Sequence, residues 1–546
     1  MFKSSFFSFV LLSSLVAPSV LAASADDWRG RSIYQVVTDR FARDDNQTPA
    51  CNTTDRKYCG GTWKGITNRL DYIQNMGFDS VWISPIVGNV EGTTAYGEAY
   101  HGYWTSNINT LNSHFGTADD LKALSAALHS RKMYLMVDIV VNHFVALNST
   151  SPTGTAETPA SNLDFSTITP FNTVSSYHPF CFINDYNNQT DVEQCWLGDV
   201  NLPLADLNTE DTETVNTMNS WINKLVKDYD IDGLRIDTVK HVRKDFWPGF
   251  KQAAGVFATG EVLLGDPEYV AGYTKVIDSV LDYPNWYQLI EAFGTTSGNL
   301  SALTSMATQA QKAYGDSAFV AGSFLENHDQ PRFQATTTDM ALVKNAMAWP
   351  FVHDGIPIMY YGQEQGLTGK GDPDNREALW PSGYDTSKPL VAHVKSLNGA
   401  RKAAVAANSA FLTTPAQFIP QTQISTFAFT KGPLAALFTN TGSSSSDKVT
   451  WTIPASTKLF KANEKAVDVL TCTSVDADGD GKVTVTAEGG NPKIMLPASA
   501  VTSVCPTVRA QGSSPSASNS AITILGGMEM RWIVVFGALL VGSTIF

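Results

Sequence analysis

The chain has 546 residues, with 52 acidic against 38 basic side chains and a formal net charge of −14. That balance leaves no basic stripe to neutralise phosphates and excludes nucleic acid as a partner. Hydrophobic residues make up 43% and charged residues 16%, which excludes disorder for most of the length and suits three or four domains, or one large α/β barrel with additions.

In chain order, residues 1–22 read as a secretory signal peptide: Lys3 is the only charge, residues 6–16 are apolar, and Val20-Leu21-Ala22 offers small residues before a cut. From residue 23, short apolar runs alternate with helical patterns. Strands are predicted at 32–38, 80–84, 133–140, 233–237, 256–261, 276–281, 319–325 and 356–360, with helices between them such as 117–129 and 214–229. This rhythm predicts a (β/α)8 TIM barrel over an open doubly wound sheet, and no Gly-rich dinucleotide fingerprint follows the first strand. The barrel is expected to occupy 23–142 and 208–407. Between them, residues 143–207 have no helical period but many Asn, Thr, Pro and Tyr, and read as a subdomain inserted after the third strand.

At 408–506 the texture changes to β-branched runs (424–430, 448–453, 482–486) separated by turns, which predicts an antiparallel β-sandwich domain. A Ser/Pro-rich linker is read at 507–520. Residues 521–546 hold a spacer and then 15 uncharged residues from Trp532, short of the ~20 that a spanning helix needs and with nothing basic after them. Small residues Asn519, Ser520 and Ala521 stand about ten residues ahead, as a glycosylphosphatidylinositol (GPI) signal requires. Attachment is expected at Asn519, with 521–546 removed and the protein at the plasma membrane or cell wall; a true C-terminal membrane anchor is the alternative. The six cysteines fall as local pairs, Cys51/Cys59, Cys181/Cys195 and Cys472/Cys505, the simplest of the possible connectivities. Sequons at Asn46, Asn52, Asn148, Asn188 and Asn299 permit glycosylation without demonstrating it.

A barrel carries its active residues at the C-terminal ends of its strands, and acids appear there. Arg235 and Asp237 lie two apart on one strand face, so the guanidinium is expected to keep Asp237 ionised, as a nucleophile needs. Glu261 ends an apolar run, which suits a raised pKa. Asp138 to His143 end the third strand, and Glu326-Asn327-His328-Asp329 the seventh. Any one of these acids alone reads as an ordinary buried ion pair. Four in register, interleaved with His143, His241 and His328, point to glycoside hydrolysis, where two carboxylates flank the bond and polar groups grip sugar hydroxyls. Tyr103 and Trp104 would stack on sugar rings, although either alone reads more readily as core. Asp476 to Gly481 open like an EF-hand loop, but the twelfth position is Ala487 and the flanks look like strands, so a β-turn is the better reading.

Residues 138–143, 233–241, 260–263 and 324–329 resemble the four signature segments of the α-amylase superfamily. Residues 51–63 (CNTTDRKYCGGTW), 95–104 (AYGEAYHGYW), 233–248 (GLRIDTVKHVRKDFWP) and 362–365 (GQEQ) resemble secreted fungal α-amylases of the Taka-amylase type, and the resemblance spans 26–505. It implies a retaining, endo-acting enzyme on the α-1,4 bonds of starch-like α-glucans, with Asp237 as nucleophile, Glu261 as general acid/base and Asp329 stabilising the transition state. His143, Arg235 and His328 would hold the sugar at the reacting carbon, with Tyr103 stacked on it. Lys240 and His241 would reach the acceptor side, and Trp104, Gly265 and Arg376 would complete the sugar contacts. A structural Ca²⁺ is implied on Asn142, Asp206 and the backbone carbonyls of Glu193 and His241.

This chain departs from that pattern in three places. It lacks a fourth cysteine pair near Ala271 and Tyr314. Leu264 stands where the relatives carry an acid on the acceptor side, and Arg56 replaces a neutral polar residue at the substrate rim. A retaining enzyme that excludes water and admits a sugar becomes a transglycosylase, so a 4-α-glucanotransferase remodelling cell-wall α-glucan is the alternative. His143 and His328, replaced in some such transferases, are kept here and favour hydrolysis. An inactive amylase-like scaffold would lack the carboxylates, and all three are present. The enzyme is expected to act as a monomer.

Overall fold

Short runs buried on both faces make a parallel sheet, as their near-continuous apolar character requires. In the computed structural model, which describes residues 23–146, 163–446 and 448–510, these are β1 (Ile33–Gln35), β2 (Ser80–Ile83), β3 (Tyr134–Ile139), β4 (Gly233–Ile236), β5 (Phe257–Gly260), β6 (Ser279–Val280), β7 (Gly322–Phe324) and β8 (Ile356–Tyr360). They pair in the order β6-β5-β4-β3-β2-β1-β8-β7. A parallel bridge between Leu281 and Gly322 joins the two ends, and the Asp282 N–H donates to the Gly322 carbonyl at 2.9 Å, which closes the barrel. The signal peptide at 1–22, the Asn148 sequon, residues 511–520 of the linker and the GPI segment with Asn519 lie outside the described residues. Among the described residues no helix is long and apolar enough to cross a membrane.

Several strands are shorter than their apolar runs. The first stops at Gln35 because residues Thr38–Phe41 turn into a helix. The sixth keeps only Ser279–Val280, since Asp278 instead accepts the Ala258 N–H with its carboxylate. The seventh begins after a 3₁₀ turn at Gly315–Phe319. Between β2 and β3 an unexpected hairpin pairs Val87–Asn89 with Thr105–Leu111.

The connection after β3 contributes a three-stranded sheet, with His143–Phe144 beside Leu202–Asp206 and Leu197–Asp199 on its far edge. It also holds a helix at Gln189–Gln194, capped by the Asn188 side chain. That corrects the expectation of a helix-free insert; six residues are too few for a 3.6-residue period to show. After the barrel, a seven-stranded sheet faces the pair Val449–Ile453 and Val483–Ala487 across a core of Ala428, Leu437, Trp451, Val485 and Met495. The EF-hand-like run is the turn between strands Thr473–Asp476 and Val483–Ala487, with Asp478 Oδ1 accepting the N–H of Asp480 and Lys482.

All three cysteine pairs are disulfides as expected: Cys51–Cys59, Cys181–Cys195 and Cys472–Cys505. The third is more than a local staple, because Cys505 is buried in the main hydrophobic core together with Val501. The 3₁₀ turn Ala498–Ala500 packs against the barrel's last helix, Pro389–Ala407, and carries Cys505 in behind it. Spacing along the chain predicts the Cys472–Cys505 pairing, whereas the burial of Cys505 comes from that tertiary packing. The chain then continues past 506 in the sheet, where Arg509 and Ala510 pair with Thr473 and Ser474 at the start of the stretch read as linker. Of the sequon asparagines, Asn46, Asn52, Asn188 and Asn299 are exposed.

Candidate active site

Register brings the acids together. Asp138 on β3 pairs with Arg235 on β4, which pairs with Thr259 on β5, so the ends of these three strands lie side by side. The Arg235 side chain, 1% exposed, then serves three carboxylates. Its Nη1 lies 2.8 Å from Asp237 Oδ1 and 3.1 Å from Asp138 Oδ1, and its Nη2 lies 3.1 Å from Glu261 Oε2. Asp138 also accepts Tyr103 Oη at 2.7 Å and Trp82 Nε1 at 3.0 Å. Glu261 is therefore not the lone acid its apolar run suggests: besides Arg235 it accepts the Thr238 N–H at 3.1 Å.

The expectation of a low Asp237 pKa is corrected. Burial pushes its carboxyl well above the usual carboxylate range; Arg235 pulls it down, while Glu261, Asp138 and Asp329 push it up further. Burial likewise pushes Asp138 up to about 6, against the pull of Arg235. One guanidinium faces three buried acids, so the cluster favours keeping a proton among them. Acid catalysis draws on such a proton. His328 is held well below its ordinary value by burial, with Arg376 and Arg235 adding to it, and burial brings His143 down to about 4. Both rings are neutral near pH 7 and able to donate and accept at once.

Asp329 stands across from this cluster, 3.1 Å from His328 Nε2 and 3.3 Å from Arg376 Nη2. Gln35 Nε2, at the end of β1, holds His328 through Nδ1 at 2.8 Å, and the Tyr103 ring stacks on His328 at 5.1 Å. A cavity of about 340 Å³ opens here, and Tyr103, Trp104, His143, Asp237, His328, Asp329 and Arg376 all line it. Arg235 lies behind the acids, so it acts on a bound sugar through them. Lys240 and Gly265 lie on the Glu261 flank outside that lining: Lys240 Nζ donates to the Leu263 carbonyl at 3.1 Å, and Gly265 lies against the Tyr287 ring. His241 is buried, with its ring facing Tyr186. The sequence reading missed His101, Tyr96, Tyr100 and Asp372, which line the cavity, and did not place Arg56 there among the binding residues. His101 was legible in principle, two residues before Tyr103 in the quoted AYHGYW run; Asp372 was legible only through its place near Arg376.

A second cluster adjoins the first. The end of the Asn142 amide lies 3.0 Å from Asp206 Oδ1 and 3.0 Å from the His241 carbonyl. With its oxygen turned that way, three oxygens from the segment after β3, the insert and the turn after β4 meet with no hydrogen among them, the kind of donor set Ca²⁺ takes; with the amide reversed, its NH₂ donates to both. Among the described residues no three His, Cys, Asp or Glu side chains form a metal-binding group, and this set holds only one carboxylate. The helix Gln189–Gln194, which carries Glu193, packs against the turn Val239–His241.

Comparison with known proteins agrees with this geometry. The family described as "Alpha amylase, catalytic domain" matches residues 35–408, and "Alpha-amylase, domain C" matches 420–512. The chain is 45% identical to Alpha-amylase 1 of Schwanniomyces occidentalis over 484 residues, covering 88% of this chain and 91% of that protein. It is 44% identical to an α-amylase of Saccharomycopsis fibuligera, covering 88% and 94%. Among solved structures, an α-amylase from Malbranchea cinnamomea superposes with a TM-score of 0.83 at 45% identity, covering 88% of this chain and 99% of that one.

Proposed function

The chain belongs to the α-amylase family, and from that premise we propose that it is a retaining, endo-acting α-amylase hydrolysing internal α-1,4 bonds of starch-like α-glucans at a cell surface. The observation that carries this reading is the pair Asp237 and Glu261 held by the two amino groups of one guanidinium, with Asp329 opposite. In a retaining reaction the two carboxyls act on one anomeric carbon. Glu261 gives its proton to the glycosidic oxygen as the bond from C1 breaks, and an Asp237 oxygen forms the ester to C1. Glu261 then takes a proton from water, whose oxygen attacks C1 and releases Asp237. Asp329, paired with His328 and Arg376, faces the charge that develops on the ring between these steps. Arg235 balances the proton passing through Glu261 and the negative charge on Asp237, without itself titrating.

Asn142, Asp206 and the carbonyls of His241 and Glu193 would hold Ca²⁺, whose contribution is to tie the insert to the barrel beside the cleft. The signal-like residues 1–22 and the small-residue site at Asn519 before an uncharged tail support secretion and a GPI anchor. Release of activity from intact cells by a phosphatidylinositol-specific phospholipase C tests that anchor. The enzyme acts as a monomer in this reading.

A second reading, 4-α-glucanotransferase, is favoured by one observation: on the Glu261 flank, Leu264 and Tyr287 expose apolar surface where an acceptor would approach. Product analysis on maltooligosaccharides separates the two, since hydrolysis yields only shorter sugars and transfer yields some longer than the donor. Asp237→Asn should lower kcat by about 10³-fold or more on either reading. A variant that keeps wild-type turnover overturns the mechanism, and a wild type that binds α-glucan without turnover indicates a scaffold.

A further inference from the structure

We propose that Arg56 is a specificity-determining residue which, paired with Asp372, walls the donor end of the cleft and sets how many glucose units lie beyond the reacting one. The inference rests on the α-glucan reading above.

Glu261 protonates the leaving group, so its flank, with Lys240 and Leu263, is the acceptor side. A line of alternating charge runs the other way. Asp329 Oδ1 meets Arg376 Nη2 at 3.3 Å, Arg376 Nη1 meets Asp372 Oδ1 at 3.0 Å, and Asp372 Oδ2 meets Arg56 Nη1 at 2.8 Å. Arg56 and Asp372 line the same cavity as Asp237 and Asp329, at the outer end of this line.

Arg56 is held in place by three loops. Its own loop follows β1 and is closed by the Cys51–Cys59 disulfide. Its backbone is left-handed, with φ 49°, and its carbonyl accepts the Glu98 N–H at 2.8 Å. Gly97 approaches so closely that a Cβ there would stand 2.4 Å from Arg56 Cβ. From the loop after β8, Asp374 accepts Thr53 Oγ1 at 3.1 Å, a second tie parallel to the Arg56–Asp372 pair.

The chemistry of the rim follows from the pairing. Both carboxylate oxygens of Asp372 are occupied by arginines, so they compete poorly for sugar hydroxyls. Without Arg56, Oδ2 would be free to accept one. Arg56 is 32% exposed, and its planar cation takes up the space and presents N–H donors instead. A donor chain is thus stopped at Arg56.

The test uses maltoheptaose tagged at its reducing end with 2-aminopyridine, with products separated at early conversion. The untagged product is the donor fragment, and its length reports the bond chosen. The wild type is expected to favour one short untagged length. Arg56→Ala should raise the ratio of longer to shorter untagged fragments by about three- to tenfold, the effect of one hydrogen bond to a sugar. Arg56→Lys, which keeps a cation opposite Asp372, should stay within about twofold of wild type, inside the effect of a hydrogen bond. These ratios come from products of a single sample, so they do not depend on how much enzyme is folded. An Ala variant with an unchanged ratio, or a Lys variant that moves as far as Ala, overturns the proposal. A wild type that leaves the heptaose uncut overturns the amylase reading instead.

Discussion

Arg235 shows how one side chain sets the chemistry of its neighbours. With carboxylates on both amino groups, it makes the state of each acid depend on the other two. Leu264 acts at the same scale on the other flank. It is 37% exposed beside Glu261, and its neighbour Gly265 lies against the 38% exposed Tyr287. Apolar surface here holds water weakly and suits the apolar face of a sugar ring. Leu264→Asp places a hydrated charge there, so the ratio of products longer than the donor to shorter ones should fall by about three- to tenfold, the scale of burying one or two methylene-sized groups. Chromatography of maltotetraose digests reads this, and an unchanged ratio removes Leu264 from the choice between water and sugar. The acids themselves were legible because strand-end position follows from sequence. The direction of the Asp237 shift was not: it depends on Asp138, Glu261 and Asp329, which reach it from β3, β5 and the loop after β7. The pairing of Arg56, already placed at the substrate rim, with Asp372 was hidden for the same reason, the two being 316 residues apart.

At the scale of elements, the insert is held together by local ties and packed onto the barrel, with Phe144, Ile168 and Trp196 in the main core and Gln189 Nε2 donating to the Lys240 carbonyl at 3.0 Å. The His143–Phe144 strand pairs with Ala205 and Asp206, the Cys181–Cys195 disulfide closes its middle, and Asn142, Asp206 and the His241 carbonyl gather at its base. If Ca²⁺ sits among those oxygens, it binds only the folded arrangement and adds to stability by mass action. A chelator should then lower the wild-type melting temperature by about 5 °C, from a few kcal/mol of lost binding in a protein of this size. Asn142→Leu should melt at the same temperature with or without chelator. Scanning calorimetry checks both, and an insensitive wild type removes the metal from this site. Elements were legible where local chemistry was strong. The helix Ala118–Ser130 carries a full capping box between Thr117 and Asp120 as well as its apolar period. The sixth strand was marked by its apolar run 276–281, but its two-residue length was not, because that is set by Asp278 turning its carboxylate to the neighbouring Ala258 N–H. Where relatives of this type keep a fourth disulfide, the helices Pro267–Ala271 and Leu300–Tyr314 pack directly, with Ala271 and Tyr314 buried and Tyr314 Oη donating to Asp282 at 3.3 Å.

Across the whole molecule, the barrel and the C-terminal sheet share an aromatic seam. Trp349 and His353, stacked at 4.0 Å, meet Phe427, Phe429 and Phe438 from the sheet, and Phe418 lies against His353. Asp354 and Lys431 form an ion pair across the same seam. Burial holds His353 down at about 4, with Lys431 adding to this and Asp354 opposing it. Unfolded, the ring titrates near 6.5, so between about pH 6.5 and 4 the unfolded chain binds a proton that the folded one refuses, and stability rises with pH. On acidification from pH 7 to 4.5 this ring alone removes about 2–3 kcal/mol. Buried carboxyls such as Asp138, raised to about 6, work in the opposite sense, so the bare profile mixes signs. Comparison with His353→Phe separates them, since the variant keeps an aromatic ring beside Trp349 and cannot take the proton. Urea midpoints at pH 7 and 4.5 should show the variant losing about 2–3 kcal/mol less than the wild type over that interval. Equal losses would mean that the seam already admits a charged His353, and that the C-terminal domain is not anchored there by a ring kept neutral through burial.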